Sequence, residues 1–535
     1  MHRIVGMRPV GLFLAVNVLL AAASGAFAES SADGCSQINK LVLKDVSALD
    51  AQLVKAGNLK FGDGTAALEL KSFCRVRATA IPTKDSNIQF EVWLPAEDWN
   101  GRLWGNGNGW FAGSISEKGL AKRVADGYAA VATDTGHHTR DKDTSWALGH
   151  PEKIADFGHR AIHLAALDAK RIVEKFYGRR PDHSYFSSCS NGGREALMEA
   201  QRYPGDYDGI IAGAPAADWT HIYVGSAIVN VQWLAAGAAY LPANKLPAIH
   251  AAVIAACDKL DGVADGVLDD PRRCAFDPAV LACQGSESDS CLTAAQIGTL
   301  RKLYKGSALR SGRQIMPGYS PGVELGWRDA QIGERPGTTE TYKAVTDFFR
   351  NMVFENPHWD ARTFDAEQAT TLADRKLASV LNATNPDLSP YLTRGGKLII
   401  YHGWGDPLVP PMLTIEYYTR MANTVGPVKA NSGVRLFMAP GMDHCGGGPG
   451  PNDFGQFDAG NGDPGTSLGA ALQRWVEHSV APEQIIATKR KDDDDPPGTV
   501  DVRTRPLCAY PAVALYRGDG SPDQASNFTC GLATK

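Results

Sequence analysis

The chain has 535 residues, 44% of them hydrophobic and 21% charged, with a formal net charge of −5. This composition argues against global disorder and against a multi-span membrane protein, and the balance of charge leaves no basic footprint for nucleic acid. The length exceeds what one hydrophobic core commonly serves, so two domains, or one domain with a large insertion, are expected.

The N-terminus reads as an export signal. Arg3 and Arg8 give a positive start, Val10 to Ala23 is nearly unbroken apolar sequence, and Ala26-Phe27-Ala28 has the small-x-small form of a cleavage site. Cleavage after Ala28 is expected, with a secreted or periplasmic destination. An uncleaved anchor is the alternative, but the run is short for a bilayer span. No other stretch is apolar enough to span, so no membrane partner is expected after cleavage.

All ten cysteines lie beyond that site, at 35, 74, 189, 257, 274, 283, 291, 445, 508 and 530. An even number in an exported chain points to disulfides. Proximity suggests Cys35–Cys74, Cys257–Cys274, Cys283–Cys291 and Cys508–Cys530, which leaves Cys189 for Cys445. This connectivity is a hypothesis, because ten cysteines allow many pairings. A metal cluster is the rival reading, yet no Cys-x-x-Cys spacing occurs.

Residues 87–94 alternate at period two and read as a strand. Residues 102–105 and 127–133 read as two more. Residues 157–177 place Phe157, Ala161, Ile162, Leu164, Ala165, Ala169, Ile172 and Val173 at helical spacing. Residues 184–186 form a short strand, 193–202 a helix and 209–213 a buried strand. Strand alternating with helix indicates an α/β fold with a mainly parallel sheet. From 216 to 390 the rhythm gives way to short helices, acidic turns and aromatic clusters. Strands return at 397–401 and 433–438, and 467–478 reads as a final amphipathic helix. The economical reading is an α/β-hydrolase core, residues 29–215 and 391–535, interrupted by a lid domain at 216–390. Capping loops at the C-terminal edge of such sheets are where binding sites form. The charge run at 489–497 reads as a solvated loop.

Ser190 stands in Ser188-Cys189-Ser190-Asn191-Gly192, between a strand and a helix. That is the setting of a nucleophile elbow, although the glycine usual two residues before the serine is replaced by Ser188. A plain small-residue turn is the alternative. Asp406 follows the strand at 397–401, and His444 follows the strand at 433–438. The order Ser…Asp…His is that of α/β-hydrolases. If Cys189 and Cys445 are bonded, the disulfide clamps Ser190 beside His444. His444 would then take the serine proton, Asp406 would hold the imidazole, and the N–H of Asn191 would donate to the oxyanion. A second donor is expected from the loop 105–109, with Gly109 first and Gly107 next. The glycines there resemble a fragment of a dinucleotide fingerprint, but they open no helix, so no organic cofactor is expected. His402 reads as a packing histidine, Asp443 as the rival acid, and His137-His138 as a cleft or solvated pair.

Asp258, Asp261 and Asp265 lie in a glycine-bearing turn between two cysteines. With the carbonyls of Val263 and Val267 they could offer calcium five oxygens. A solvated acidic turn is the alternative.

The chain resembles the tannase/feruloyl esterase family, which includes feruloyl esterases, bacterial tannases and mono(2-hydroxyethyl) terephthalate hydrolase. The resemblance rests on Trp99-Asn100-Gly101-Arg102, Asp156 to Ala161, Cys189-Ser190-x-Gly192-Gly193-Arg194, the acidic loop, Tyr401-His402-Gly403 to Asp406, Gly441-Met442-x-His444-Cys445 and Arg505 to Pro511. It implies the triad Ser190, Asp406 and His444 and the disulfide Cys189–Cys445. It also implies a structural calcium ion in the lid on Asp258, Asp261, Val263, Asp265 and Val267. The implied activity is hydrolysis of small-molecule esters of substituted aromatic acids, feruloyl esters first. Galloyl esters and terephthalate monoesters are the alternatives, and a catalytically inactive binding protein on the same fold is the non-enzymatic one. Arg350 is a candidate for holding a substrate carboxylate, with a structural salt bridge as the plainer role. Oligomeric state is not legible in the sequence.

Overall fold

The structure, a computed structural model, describes residues 32–61, 67–139, 143–235, 237–492 and 501–533. The expected export segment and residues 493–497 of the charge run lie outside the described residues.

A nine-stranded sheet organises the chain. Its strands are β1 (Val46–Val54), β2 (Phe73–Ala80), β3 (Ile88–Pro95), β4 (Arg102–Asn106), β5 (Ala129–Thr133), β6 (His183–Cys189), β7 (Gly209–Gly213), β8 (Lys397–Gly403) and β9 (Val434–Ala439). Their order across the sheet is β1-β2-β3-β5-β4-β6-β7-β8-β9. From β5 to β9 neighbours are parallel, and β1 to β3 add an antiparallel edge.

The helices that matter below are α1 (Ala161–Tyr177), α2 (Asn191–Arg202), α3 (Trp219–Ala227), α4 (Glu340–Phe348), α5 (Pro411–Val425) and α6 (Leu468–His478). Successive strand residues face opposite sides of a sheet. Ile210 and Ile400 therefore pack with Leu197 of α2 and Ile415 and Met421 of α5. Their neighbours Ile211, Ile399 and Tyr401 pack with Leu472 and Trp475 of α6. Both faces are covered, which is why the central strands are apolar throughout.

The helix expected at 157–177 is divided. Residues Asp156–Arg160 form a wide π-type turn, and the α-helix proper begins at Ala161. Arg160 ties the turn to Asp156 at 2.5 Å and to Glu152 at 2.8 Å. The turn's carbonyls at Phe157 and Gly158 also accept from Arg194 at 3.1 and 2.6 Å.

Between Gly213 and Lys397 no described residue joins the main sheet. This stretch is mostly short helices with one small hairpin, Gly306–Ala308 with Gln314–Pro317. Its apolar side chains, among them Ile222, Phe348 and Phe349, share one buried cluster with Phe111, Phe157 and Val409 from outside it. All five disulfides expected from cysteine spacing are formed. Among the described residues no helix is long and apolar enough to cross a membrane.

Candidate active site

Strand β6 passes into α2 through Ser190 alone, at φ 66° and ψ −122°. A side-chain-bearing residue is rarely held there, and such strain clusters at functional sites. The surroundings enforce it. The Ser190 N–H donates to Gly213 O at 2.9 Å, and the Ser190 carbonyl accepts from Arg194 and Ala216 at 3.0 and 3.2 Å. A Cβ at Gly193 would stand 2.2 Å from Gly213 O, so only glycine fits. The serine at 188, where a glycine is usual, is accommodated by glycines elsewhere. Its side chain fills the space beside Gly192 and Gly107, where an added Cβ would come within 1.9 Å and 2.8 Å of Ser188 atoms.

The Cys189–Cys445 disulfide, with Cα atoms 6.0 Å apart, joins this turn to the loop carrying His444. Asp406 lies beyond the end of β8, fully buried. Its Oδ2 meets His444 Nδ1 at 2.6 Å, and its Oδ1 accepts the N–H groups of Leu408 and Val409 at 2.8 and 2.9 Å. Burial alone would push this carboxyl up. The charges and hydrogen bonds of His444 and His402 outweigh burial and hold it well below the usual carboxylate range. Asp443, the rival acid, lies instead against Gly405 and Gly326. Because His444 reaches Asp406 through Nδ1, Nε2 remains for a proton from the serine side. Ser190, Asp406 and His444 thus follow the ends of β6, β8 and β9, with β7 between the first two, and one disulfide ties the first to the last.

Asn191 is the first residue of α2, so its N–H has no acceptor within the helix. The glycine-rich loop after β4 lies alongside. Asn108 N donates to Glu195 at 2.9 Å, and the Asn108 side chain donates to Ser114 O and Thr133 O. Gly109 sits in open space: an added Cβ would meet nothing within 4 Å.

A cleft opens on Ser190. Trp110, Trp219, Ile222, Tyr223, Val345 and Leu408 supply most of its wall. Apart from Ser190, Ser226 and Thr341 are the polar exceptions, and among the described residues no charged side chain lines it. Arg350 is not there. It pairs with Asp347 at 3.2 Å and reaches toward Trp359 O.

The acidic loop follows the helix Leu246–Cys257 and uses its own carboxylates locally. Asp258 accepts from the N–H groups of Asp265 and Gly266, and Asp261 accepts from those of Val263 and Asp269. Asp265 is paired with Arg505 at 2.6 Å and Arg503 at 3.4 Å. The donor set is all hard oxygen, as calcium requires. Yet among the described residues no three acidic, histidine or cysteine side chains converge to hold a metal ion. The donor chemistry fits a hard cation, and the side-chain arrangement is not a formed cage.

Residues 74–531 match the family model described as tannase and feruloyl esterase. The chain belongs to the tannase and feruloyl esterase family. It is 39% identical to an uncharacterised esterase of Xanthomonas campestris, over 98% of this chain and 96% of that one. It is 30% identical to a probable feruloyl esterase B-2 of Aspergillus terreus, over 98% and 100%. The crystal structure of feruloyl esterase B from Aspergillus oryzae superposes with a TM-score of 0.86 at 28% identity, covering 94% of this chain and all of that one. The protein is accordingly a carboxylic ester hydrolase with an α/β-hydrolase core.

Arg194 and Glu195 have no assigned role in the sequence reading, and His137 is read there as a cleft or solvated residue. Arg194 is buried under α2, stacked on Phe157 and Trp219, and donates to Asn191 Oδ1 at 2.8 Å. Glu195 is buried and accepts from Asn191 Nδ2 at 3.1 Å as well as from Asn108, and burial pushes its carboxyl up to about 7. His137 neither lines the cleft nor faces solvent. It stacks on Trp146 at 3.7 Å and meets Phe111 O at 2.7 Å, and burial lowers it to about 4. The signal available for the first two was their place one turn into the elbow helix, where a charge must be buried.

Proposed function

We propose that this esterase hydrolyses esters of substituted aromatic acids through an acyl-enzyme on Ser190, with feruloyl and related hydroxycinnamoyl esters preferred. The aromatic, uncharged cleft opening on Ser190 carries this reading. The names of the relatives, feruloyl esterases among them, support it. Ser190 Oγ attacks the ester carbonyl as His444 Nε2 takes its proton. Asp406 stabilises the imidazolium, and the N–H groups of Asn191 and Gly109 receive the oxyanion. The C–O bond to the alcohol then breaks, and His444 returns the proton to the departing alcohol. Water attacks the acyl-enzyme with His444 again as base, and Ser190 leaves reprotonated.

Terephthalate monoesters rank last. Their second carboxylate would enter a cleft without a lining cation, and an unpaired buried charge is strongly disfavoured. Galloyl esters, with three ring hydroxyls, suit a mostly apolar wall less well than methoxylated cinnamates. Residues 216–390 act as the lid, since α3 and α4 supply much of the cleft. Wild type and Ser190→Ala compared on methyl ferulate, methyl gallate and a terephthalate monoester test the reading. Turnover should be greatest on methyl ferulate and fall by roughly 10⁴–10⁶ in the variant. Equal rates for both proteins would overturn it.

The loop from Asp258 to Val267 binds a structural calcium ion through Asp258, Asp261, Asp265 and the carbonyls of Val263 and Val267, and no catalytic step passes through it. Chelation should lower the melting temperature and added calcium restore it, whereas an unmoved transition would refute the site. The chain is exported to the periplasm or medium after cleavage behind Ala28, which N-terminal sequencing of the mature protein, expected to begin at Glu29, checks.

A further inference from the structure

Two lining side chains of the cleft carry a buried polar atom with no hydrogen-bond partner among the described residues: Trp219 Nε1 and Thr341 Oγ1. Trp219 is ringed by Phe111, Phe157 and Tyr223, with centroids 5.6, 5.6 and 5.0 Å away. An indole N–H among aromatic faces has weak but real company. Thr341 has no such company. A buried hydroxyl left without a partner is costly, so its persistence in a residue that lines the cleft points to a ligand group that satisfies it.

Its place in the cleft follows from the helices. Ala216 N donates to Ser190 O, so the chain entering α3 at Trp219 starts beside the nucleophile. Ser226 lies near the other end of α3, about 10 Å further along at 1.5 Å per residue. Asn230 binds that end to the start of α4: its Nδ2 donates to Ser226 O at 3.1 Å, and its Oδ1 accepts from Thr339 Oγ1 at 3.3 Å. Thr339 caps α4, and Thr341 stands in the first turn. Ser226 and Thr341 therefore meet at the end of the cleft remote from Ser190, with an apolar and aromatic wall between.

We propose that Thr341 is a specificity-determining residue that hydrogen-bonds a hydroxyl carried on the ring of the acyl group, at the end opposite the ester. This rests on the reading of Ser190 as the nucleophile of an aromatic-ester hydrolase. A threonine hydroxyl offers two lone pairs and one proton. It accepts from a para-hydroxyl and can donate to an adjacent ether oxygen. An acyl group lacking the ring hydroxyl leaves Oγ1 buried and unpaired, and a site built this way rejects that analogue.

The test is kcat/KM on methyl 4-hydroxycinnamate against methyl cinnamate. Wild type should favour the hydroxylated ester by about tenfold or more, the worth of one buried hydrogen bond. Thr341→Val, nearly isosteric, should lose most of that preference, chiefly through the hydroxylated ester. Thr341→Ser should restore it. Should the valine variant fail to fold, Thr341→Ala carries the same readout with less bulk. A wild-type ratio near one overturns the proposal, as does a variant that keeps the wild-type ratio while remaining active on methyl cinnamate. Wild type that cleaves neither ester would instead overturn the proposed function.

Discussion

His402 and His444 contact the same oxygen of Asp406, Oδ2, at 3.1 and 2.6 Å. His402 Nε2 also faces Val409 O at 3.0 Å. Both neighbours of that nitrogen are acceptors, so Nε2 carries a ring proton, and Nδ1 meets Thr414 Oγ1 at 2.7 Å. His402 thus holds the Asp406 carboxylate in place beside His444. His402→Ala should lower kcat by about 10–100-fold, the range for a lost hydrogen bond to a charged group, with little change in KM. Steady-state kinetics on methyl ferulate would read this, and an unaltered kcat would show that Asp406 needs no such support.

The elbow depends on glycine where serine crowds it. A Cβ at Gly192 would lie 1.9 Å from Ser188 Oγ, 2.4 Å from Ser188 Cβ and 2.9 Å from Asn108 O. Gly192→Ala should therefore destabilise by about 1–3 kcal/mol, as overpacking does, and cut activity by displacing Ser190. Combining it with Ser188→Gly removes two of the three contacts and should recover part of both losses. Thermal melts and activity of the single and double variants decide this; a double variant no better than Gly192→Ala would contradict it.

Stability should respond to pH through buried carboxyls. Burial pushes both Glu195 and Asp134 up to about 7, from ordinary values of 4.5 and 3.8. Between those limits the native state keeps protons that the unfolded chain has released. Stability contributed by these groups therefore falls as pH rises from about 4 to about 7, and is level above. Asp406 acts in the other sense: its lowered value stabilises the fold above the ordinary aspartate range, and that gain is lost only in strong acid. As pH rises from 4.5 to about 7, Glu195→Gln should gain melting temperature relative to wild type. An unchanged slope in the variant would refute the assignment.

Much of this was legible in the sequence because central parallel strands are apolar on both faces. Gly209–Gly213 is a strand with the limits expected, and β8 begins at Lys397 as read. The edge strand Val46–Val54 was missed because only Ala51 in it is buried, so it carries little apolar signal. The break at Asp156–Arg160 was hidden for a different reason. Helical spacing continues through it, and its partner Arg194, which donates to the carbonyls of Phe157 and Gly158, comes from a segment more than thirty residues away. The serine, acid and histidine were readable from their order and their strand-end positions. The cleft was not, because Ser226 and Thr341 line it from two helices that Asn230 joins through Ser226 O and Thr339, and nothing local in either segment announces the other.

The central claim is that the thiol neighbours of Ser190 and His444 are bonded to each other, so that one hydroxyl and one imidazole work as a pair. The most direct test is a non-reduced digest of enzyme inactivated with an organophosphonate, read by mass spectrometry. The account predicts one cross-linked species in which the Cys189 peptide, phosphonylated on Ser190, is joined to the Cys445 peptide bearing His444. A label on any other residue, or Cys189 found free or joined to a different cysteine, would contradict it.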